Sequence, residues 1–307
     1  VPGGCAIGTR PVDLHLLALK QLRAEITIKN GYIHADAPNG LKGTEITFDK
    51  ISVGATENTI LAATTAKGTT IIHNAAIEPE VLSMIELLNK MGAKISVKGR
   101  SITINGVEKL NGAKYSIIPD RIEAGSYALA TIITDGEVEL LDVTLDIFKP
   151  IIKELNLCGA NLSQTKNGVL VTQKNTNKNP LTITTKPFPE FSTDMQAQFT
   201  AFLTCNNAPS CITENIFENR FMHVAELKRM GADITIDGNS INIKPIKKLQ
   251  AANVTATDLR ASMALVIAAL AAEGKTSISG IHHLDRGYET LEEKLSRCGA
   301  KIYRIVA

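Results

Sequence analysis

Lys90-Met91-Gly92-Ala93-Lys94-Ile95 returns as Leu157-Cys158-Gly159-Ala160-Asn161-Leu162, then as Met230-Gly231-Ala232-Asp233-Ile234, and once more as Cys298-Gly299-Ala300-Lys301-Ile302. A weaker copy, Leu22-Arg23-Ala24-Glu25-Ile26, has Arg where the others have Gly. The anchors at 23, 92, 159, 231 and 299 lie 69, 67, 72 and 68 residues apart. Such a near-constant period marks an array of one supersecondary unit. Each copy follows an amphipathic segment. Val81, Met84, Ile85 and Leu88 fall at i, i+3, i+4 and i+7 and share one helical face. Leu284, Tyr288, Leu291, Leu295 and Cys298 carry the same spacing and read as one helix. The glycine closing each helix suits a left-handed C-terminal cap. Short alternating stretches follow, such as Lys94-Ile95-Ser96-Val97 and Ser101-Ile102-Thr103-Ile104 joined through Gly99, and read as strands.

Upstream in each unit lies a second, almost wholly apolar helix, as in Leu265-Val266-Ile267-Ala268-Ala269-Leu270, followed by a glycine and a strand. Helices apolar on all sides belong inside, with the sheets outside them. The first copy has only about half a unit before its anchor, so the expectation is that further repeat sequence precedes Val1.

The 307 residues carry 33 basic and 31 acidic side chains, a net charge of +2, and 44% are apolar. This balance argues against a polybasic nucleic-acid arm or membrane patch, and the apolar content against a disordered chain. The most apolar run, 261–272, is 12 residues long, short of the roughly 20 that span a bilayer. Five cysteines in no CxxC pair suggest neither a disulfide framework nor a zinc site. Reduced thiols in a cytoplasm are the expectation.

The opening loop Pro2-Gly3-Gly4-Cys5-Ala6-Ile7-Gly8-Thr9-Arg10 surrounds one thiol with glycines. Thr9-Arg10 stands where a Walker A motif needs Lys-Ser/Thr, so a nucleotide loop of that kind is excluded. Cys5 is either a nucleophile or proton donor tuned by nearby cations, or a small packing residue. Cys158 and Cys298 precede the same Gly-Ala and read as packing residues. Arg10, Arg121, Arg220, Arg260 and Arg286 stand near expected helix starts, where anions are favoured. They are phosphate or carboxylate ligands, or ordinary partners of Asp120, Asp258 and Asp285. Asp194 in Ser192-Thr193-Asp194-Met195-Gln196 either caps the next helix or serves as a base. His282-His283 reads as a solvated turn.

With these motifs in order, the sequence resembles the UDP-N-acetylglucosamine 1-carboxyvinyltransferases of the EPSP synthase-like superfamily over essentially its whole length. The resemblance rests on residues 2–15, Ser52-Val53-Gly54-Ala55-Thr56-Glu57-Asn58, Thr193-Asp194-Met195-Gln196-Ala197-Gln198, Phe217-Glu218-Asn219-Arg220-Phe221, Ala256-Thr257-Asp258-Leu259-Arg260-Ala261 and Asp285-Arg286-Gly287-Tyr288-Glu289. It implies an α/β fold in which two domains each form an inside-out α/β barrel of three βαβαββ units. Residues 1–118 would then be a partial catalytic-loop domain of one and a half units, and 119–307 a second domain of three. About one and a half units would precede Val1; in the family that stretch carries a Lys-Asn pair and an Arg, roles not transferred to Lys29-Asn30.

The resemblance implies transfer of the enolpyruvyl group of phosphoenolpyruvate to the 3′-hydroxyl of UDP-N-acetylglucosamine, releasing phosphate, at the first committed step of peptidoglycan synthesis. No metal or cofactor is implied. Cys5 matches the family's acid, Asp194 the general base at the 3′-hydroxyl, and Arg286 a third catalytic residue. Cys5, Arg10, Arg260 and Arg286 match the phosphoenolpyruvate ligands. Arg10, Pro11, Val12, Asp13, Leu14, Lys50, Ile51, Ser52, Val53, Asp194 and Ile216 match the UDP-sugar lining, with Arg220 near the cleft. The expected partners are the two substrates and the segment before Val1, with no nucleic acid and no membrane. Two other readings stand beside this one. The first is 5-enolpyruvylshikimate-3-phosphate synthase, which lacks the cysteine loop; the second is a non-catalytic UDP-sugar-binding homologue. On residue type alone, Asp194→Ala is expected to fold near normally and to lose turnover.

Overall fold

The computed structural model describes residues 8, 11–173 and 179–305. Contacts divide the chain into two compact units, the first built on residues 11–118 and the second on 119–305.

In the first unit, α1 (Asp13–Gln21) leads into a hairpin of β1 (Glu25–Lys29) and β2 (Tyr32–Asp36). Then follow β3 (Glu45–Thr47), α2 (Val53–Thr64), β4 (Thr69–His73), α3 (Pro79–Lys90), β5 (Lys94–Lys98) and β6 (Ser101–Asn105). The last four strands form one sheet in the order β3-β4-β6-β5. β3 and β4 run parallel, as a crossover through α2 requires, and the remaining pairs are antiparallel. Lys29-Asn30 lies at the β1–β2 turn, with Asn30 at φ 51°.

The second unit contains α4 (Arg121–Ile133), β7 (Glu137–Leu141), α5 (Ile152–Leu157), β8 (Ala160–Gln164) and β9 (Gly168–Gln173). It continues with β10 (Thr182–Thr184), α6 (Gln196–Thr204), β11 (Ser210–Thr213), α7 (Met222–Arg229), β12 (Asp233–Asp237) and β13 (Ser240–Lys244). β14 (Asn253–Thr255), α8 (Leu259–Ala271), β15 (Ser277–Ser279) and α9 (Leu291–Arg297) close it. The sheet β10-β11-β13-β12 reproduces strand for strand the order and directions of β3-β4-β6-β5. Two partial versions accompany it, β7-β9-β8 and the parallel pair β14-β15.

Every residue of α6 is buried, as is Ala261–Ala268 of α8, and α6 and α4 both pack on α8. These three helices form the centre of the second unit's core, which holds Phe199, Phe202, Leu265 and Leu129. The first unit has a separate core around Ile46, Ile60, Ile72 and Ile104. The hydroxyls on the buried helices avoid desolvation without partners by bonding one turn back. Thr59 Oγ1 donates to Ala55 O at 2.7 Å, Ser126 Oγ to Ile122 O at 2.7 Å and Thr200 Oγ1 to Gln196 O at 2.9 Å.

The anchor of each repeat occupies left-handed backbone, with φ of 104°, 90°, 91° and 97° at Gly92, Gly159, Gly231 and Gly299. Arg23 takes the same conformation at φ 75°, which costs a residue with a Cβ about 1–2 kcal/mol. Arg23→Gly should therefore raise the urea-unfolding stability of the first unit by about 0.5–1 kcal/mol. An unchanged or lower midpoint would show that the side chain contributes more than its backbone costs.

The last copy departs from its expected single helix. Ile281–Arg286 is a 3-10 turn, Thr290 is left-handed at φ 43°, and α9 begins at Leu291. Leu284, Tyr288, Leu291 and Leu295 are nevertheless buried. Cys298 is exposed whereas Cys158 is fully buried, so the shared packing role holds for Cys158 alone. Cys298 lies on the rim of an open groove of about 950 Å³, beside Ala300, Ile302 and Tyr303.

Candidate functional site

The expected site residues fall in both units, and Cys5 and Arg10 lie outside the described residues. In the first unit, Pro11–Leu14 enter α1 and Lys50–Val53 enter α2. The two stretches are neighbours, since a Cβ added at Gly54 would sit 3.4 Å from the His15 ring. Ser52 caps α2, its Oγ accepting from Ala55 N at 3.3 Å. Leu14 is buried in the first unit's core, so its side chain is committed to packing; Pro11, Asp13 and Lys50 are exposed.

The second unit concentrates charge around Asp194. Asp194 lies in a 3-10 turn, Thr193–Met195, that feeds α6, and Ser192 is the residue that caps this turn. The Asp194 side chain is thereby free to leave the helix. Its Oδ1 accepts from Arg220 Nη2 at 2.5 Å, and its Oδ2 from Arg260 Nη2 at 3.0 Å. Arg260 is the second residue of α8, whose start Asp258 caps with both Arg260 N and Ala261 N at 3.0 Å. Asp120 caps α4 in the same way. Asp120 and Asp258 thus serve as helix caps, and Asp285 pairs with Arg304. Arg260 finds its carboxylate 66 residues away.

Burial by itself raises the proton affinity of Asp194, but the guanidinium groups of Arg260 and Arg220 outweigh it. Together they hold the carboxyl well below the usual range. With side-chain exposures of 37% for Asp194, 13% for Arg260 and 5% for Arg220, the cluster sets two guanidinium groups on one carboxylate at a half-open surface. Such a cluster can accept an anion without first ordering its own donors.

A second carboxylate, unremarked in the sequence, fixes this arrangement. Glu214 is 3% exposed. Its Oε1 accepts from Thr185 Oγ1 at 2.9 Å, Ile216 N at 2.7 Å and Phe217 N at 3.2 Å. Its Oε2 accepts from Thr193 Oγ1 at 2.8 Å, and that hydroxyl accepts from Arg220 Nη1 at 2.8 Å. Glu214 therefore holds the loop of exposed Ile216 and the turn of Asp194 at once.

Arg286 closes its 3-10 turn instead of opening a helix, and it is exposed. A Cβ on Gly287 would lie 3.1 Å from Leu259, so the segment bearing Arg286 packs against the start of α8 beside Arg260. Arg121 is the first residue of α4, with its guanidinium 5.8 Å from the Phe188 ring centroid. Among the described residues no three His, Cys, Asp or Glu are grouped to hold a metal. No described helix is long and apolar enough to cross a membrane.

His223 on α7 is 2% exposed, and its Nε2 lacks a hydrogen-bond partner. Burial, opposed by Asp258 and assisted by Arg220, pushes its pKa down to about 4. The unfolded chain binds this proton near pH 6.5 and the native state does not. Stability is therefore whole above about 6.5 and declines as pH falls toward about 4. Between pH 7 and 4.5 the second unit should lose about 2–3 kcal/mol to this group. In urea titrations His223→Gln should flatten that decline; an equal decline would place its origin elsewhere. Asp194 has the same sign in a lower window, contributing stability above its ordinary value of 3.8 and losing it as pH falls below.

A family model described as EPSP synthase (3-phosphoshikimate 1-carboxyvinyltransferase) matches residues 1–295. A UDP-N-acetylglucosamine 1-carboxyvinyltransferase of Rhodopseudomonas palustris is 53% identical over 99% of this chain and 71% of that protein. Its counterpart from Afipia carboxidovorans is 54% identical over the same shares. Among solved structures, the enolpyruvyl transferase NikO of Streptomyces tendae aligns with a TM-score of 0.85 at 23% identity, over 96% of this chain and 73% of that one. An EPSP synthase from Acinetobacter baumannii aligns at 0.72 and 19%, over 99% and 74%. The fold is thus the mixed α/β fold of the enolpyruvyl transferases. The caps, the repeat anchors and the Asp194 cluster occur in a sequence more than half identical to proteins of one kind: the chain belongs to the EPSP synthase family and, within it, to the UDP-N-acetylglucosamine 1-carboxyvinyltransferases.

Proposed function

We propose that this protein transfers the enolpyruvyl group of phosphoenolpyruvate to the 3′-hydroxyl of UDP-N-acetylglucosamine and releases phosphate. The observation that carries the proposal is Asp194 clamped between Arg220 and Arg260 within a chain 53% identical to enzymes of that name. In the addition step the sugar oxygen bonds to C2 of phosphoenolpyruvate, C3 gains a proton and the double bond becomes single. In the elimination step the C2–O bond to phosphate breaks, C3 loses a proton and the double bond returns. Cys5 is assigned the acid role, and Arg10, Arg260 and Arg286 the donor's anionic groups. Pro11–Leu14, Lys50–Val53 and Ile216 are assigned to the UDP-sugar.

Asp194 in its present pairing is ionised and weakly basic. An anionic donor that draws Arg260 onto itself frees Oδ2 and restores its basicity, so binding of one substrate readies the base for the other. We also read residues 119–307 as a three-unit inside-out barrel and 1–118 as one and a half units of a partner domain. Supporting this are the buried helices α4, α6 and α8 and the recurring sheet order.

The test combines both substrates and follows phosphate and the enolpyruvyl sugar by mass spectrometry. Turnover that stops when fosfomycin alkylates Cys5 is expected. Full activity with an unmodified Cys5 after treatment would remove the thiol's role. UDP-sugar binding without phosphate release would favour the non-catalytic reading.

A further inference from the structure

We propose that Arg304 is a positioning residue that orients the turn bearing Arg286 toward the phosphoenolpyruvate donor, an inference resting on the activity proposed above. Arg304 lies in the segment after α9, and its guanidinium forks two carboxylates at once. Nη1 donates to Asp285 Oδ2 at 3.0 Å and Nη2 to Asp285 Oδ1 at 2.6 Å. On the other edge, Nε pairs with Glu292 Oε1 at 2.7 Å and Nη2 donates to Glu292 Oε2 at 3.2 Å. Asp285 immediately precedes Arg286 at the end of the 3-10 turn, and Glu292 is the second residue of α9. One side chain thus joins both ends of the span 285–292, across the left-handed residue Thr290.

The inner edge of the same turn is anchored in the core. Leu284 and Tyr288 are buried, and the backbone N–H groups of Gly287 and Tyr288 both donate to Leu284 O at 3.1 Å. The Tyr288 hydroxyl lies 2.9 Å from Ser126 Oγ of α4. Gly287 has no room for a side chain against Leu259 at the start of α8. Arg286 stands on the exposed outer edge, where the paired Asp285 resists a tilt of the turn about its inner one. Side-chain exposures are 32% for Arg304, 43% for Asp285 and 23% for Glu292. Isolated ion pairs so open to water add little stability. What two planar forks on one guanidinium add is direction, because each fixes an orientation as well as a distance. The clip therefore serves the geometry of Arg286 more than the strength of the fold.

Arg304→Gln tests the idea because it removes both forks at a partly exposed site where the protein should still fold. kcat/KM for phosphoenolpyruvate should fall by about 10- to 100-fold, the range expected when a binding group is misplaced by about 1 Å. The loss should lie mainly in KM for that substrate, with KM for the UDP-sugar within about twofold of the parent. A merely destabilised enzyme would lose active molecules, lowering kcat and leaving both KM values alone. Arg304→Lys keeps the charge but cannot fork, so it should show most of the same rise in KM. If Arg304 acts through Arg286, adding Arg304→Gln to Arg286→Lys should cost no more than about threefold further. Multiplicative losses would overturn the proposal, as would a parental KM for phosphoenolpyruvate in either Arg304 variant. Crystal structures of the parent and of Arg304→Gln supply a reading independent of turnover. The Cα atom of Arg286 should shift by about 1 Å relative to Leu259, and an unmoved turn would overturn the proposal. An inactive parent would count against the proposed activity alone, because the crystal comparison decides the positioning role without it.

Discussion

Asp194→Ala should lower product formation by at least about 10³-fold and destabilise the second unit by about 3 kcal/mol. The catalytic loss follows from removing the base and, with it, the group that aligns Arg260 and Arg220. The stability loss is what residue type alone did not foretell. Arg220 is 5% exposed and donates to both Asp194 and Thr193, and its Nε already lacks a partner. Truncating the carboxylate strands this guanidinium in the interior, where an uncompensated charge typically costs about 3–5 kcal/mol. The lower end applies because Asp194 itself is 37% exposed and screened by water. Urea unfolding and coupled phosphate release measure the two effects separately. A variant of parental stability would show that Arg220 finds a substitute partner, and surviving turnover would remove Asp194 from the chemistry.

The other large effect belongs to Glu214. Glu214→Ala removes an acceptor used by two hydroxyls and two backbone N–H groups, the Thr185 bond buried and the others partly so. At about 1 kcal/mol each, with desolvation of the stranded donors, the loss is about 3–5 kcal/mol. Glu214→Gln should fall between, since one amide oxygen can replace the Oε1 contacts while its NH2 cannot accept from Thr193. Because Ile216 and Phe217 hang from the same oxygen, KM for the UDP-sugar should rise by about tenfold in the Ala variant and much less in the Gln variant. An unaltered KM with lowered stability would confine Glu214 to holding the fold.

The repeated Gly-Ala anchor made the architecture legible, because a left-handed cap and a change of hydrophobic period are local properties of the chain. Arg23 shows how far this reaches: its place in the period predicts a conformation its own residue type disfavours, and φ 75° is what the backbone adopts. The arginine cluster was legible only in part. Spacing brought Arg220 and Arg260 to helix starts, yet their common partner is set by packing between segments 26 and 66 residues removed. Glu214, Tyr288 and His223 act through contacts of this kind. Tyr288 sat in an apolar series, where its hydroxyl carried no local signal, although its partner Ser126 is 162 residues away. The broken last helix has a different cause. Spacing alone could not register the left-handed turn at Thr290, and the same four apolar side chains reach the core from two short elements.

The two cores described above share no residue. A calorimeter should accordingly record two overlapping endotherms rather than one, and a single melting temperature would not define this protein. Arg23→Gly belongs to the peak of residues 11–118, whereas changes at Glu214, Asp194 and His223 belong to that of residues 119–305. Each substitution thereby labels the peak it moves.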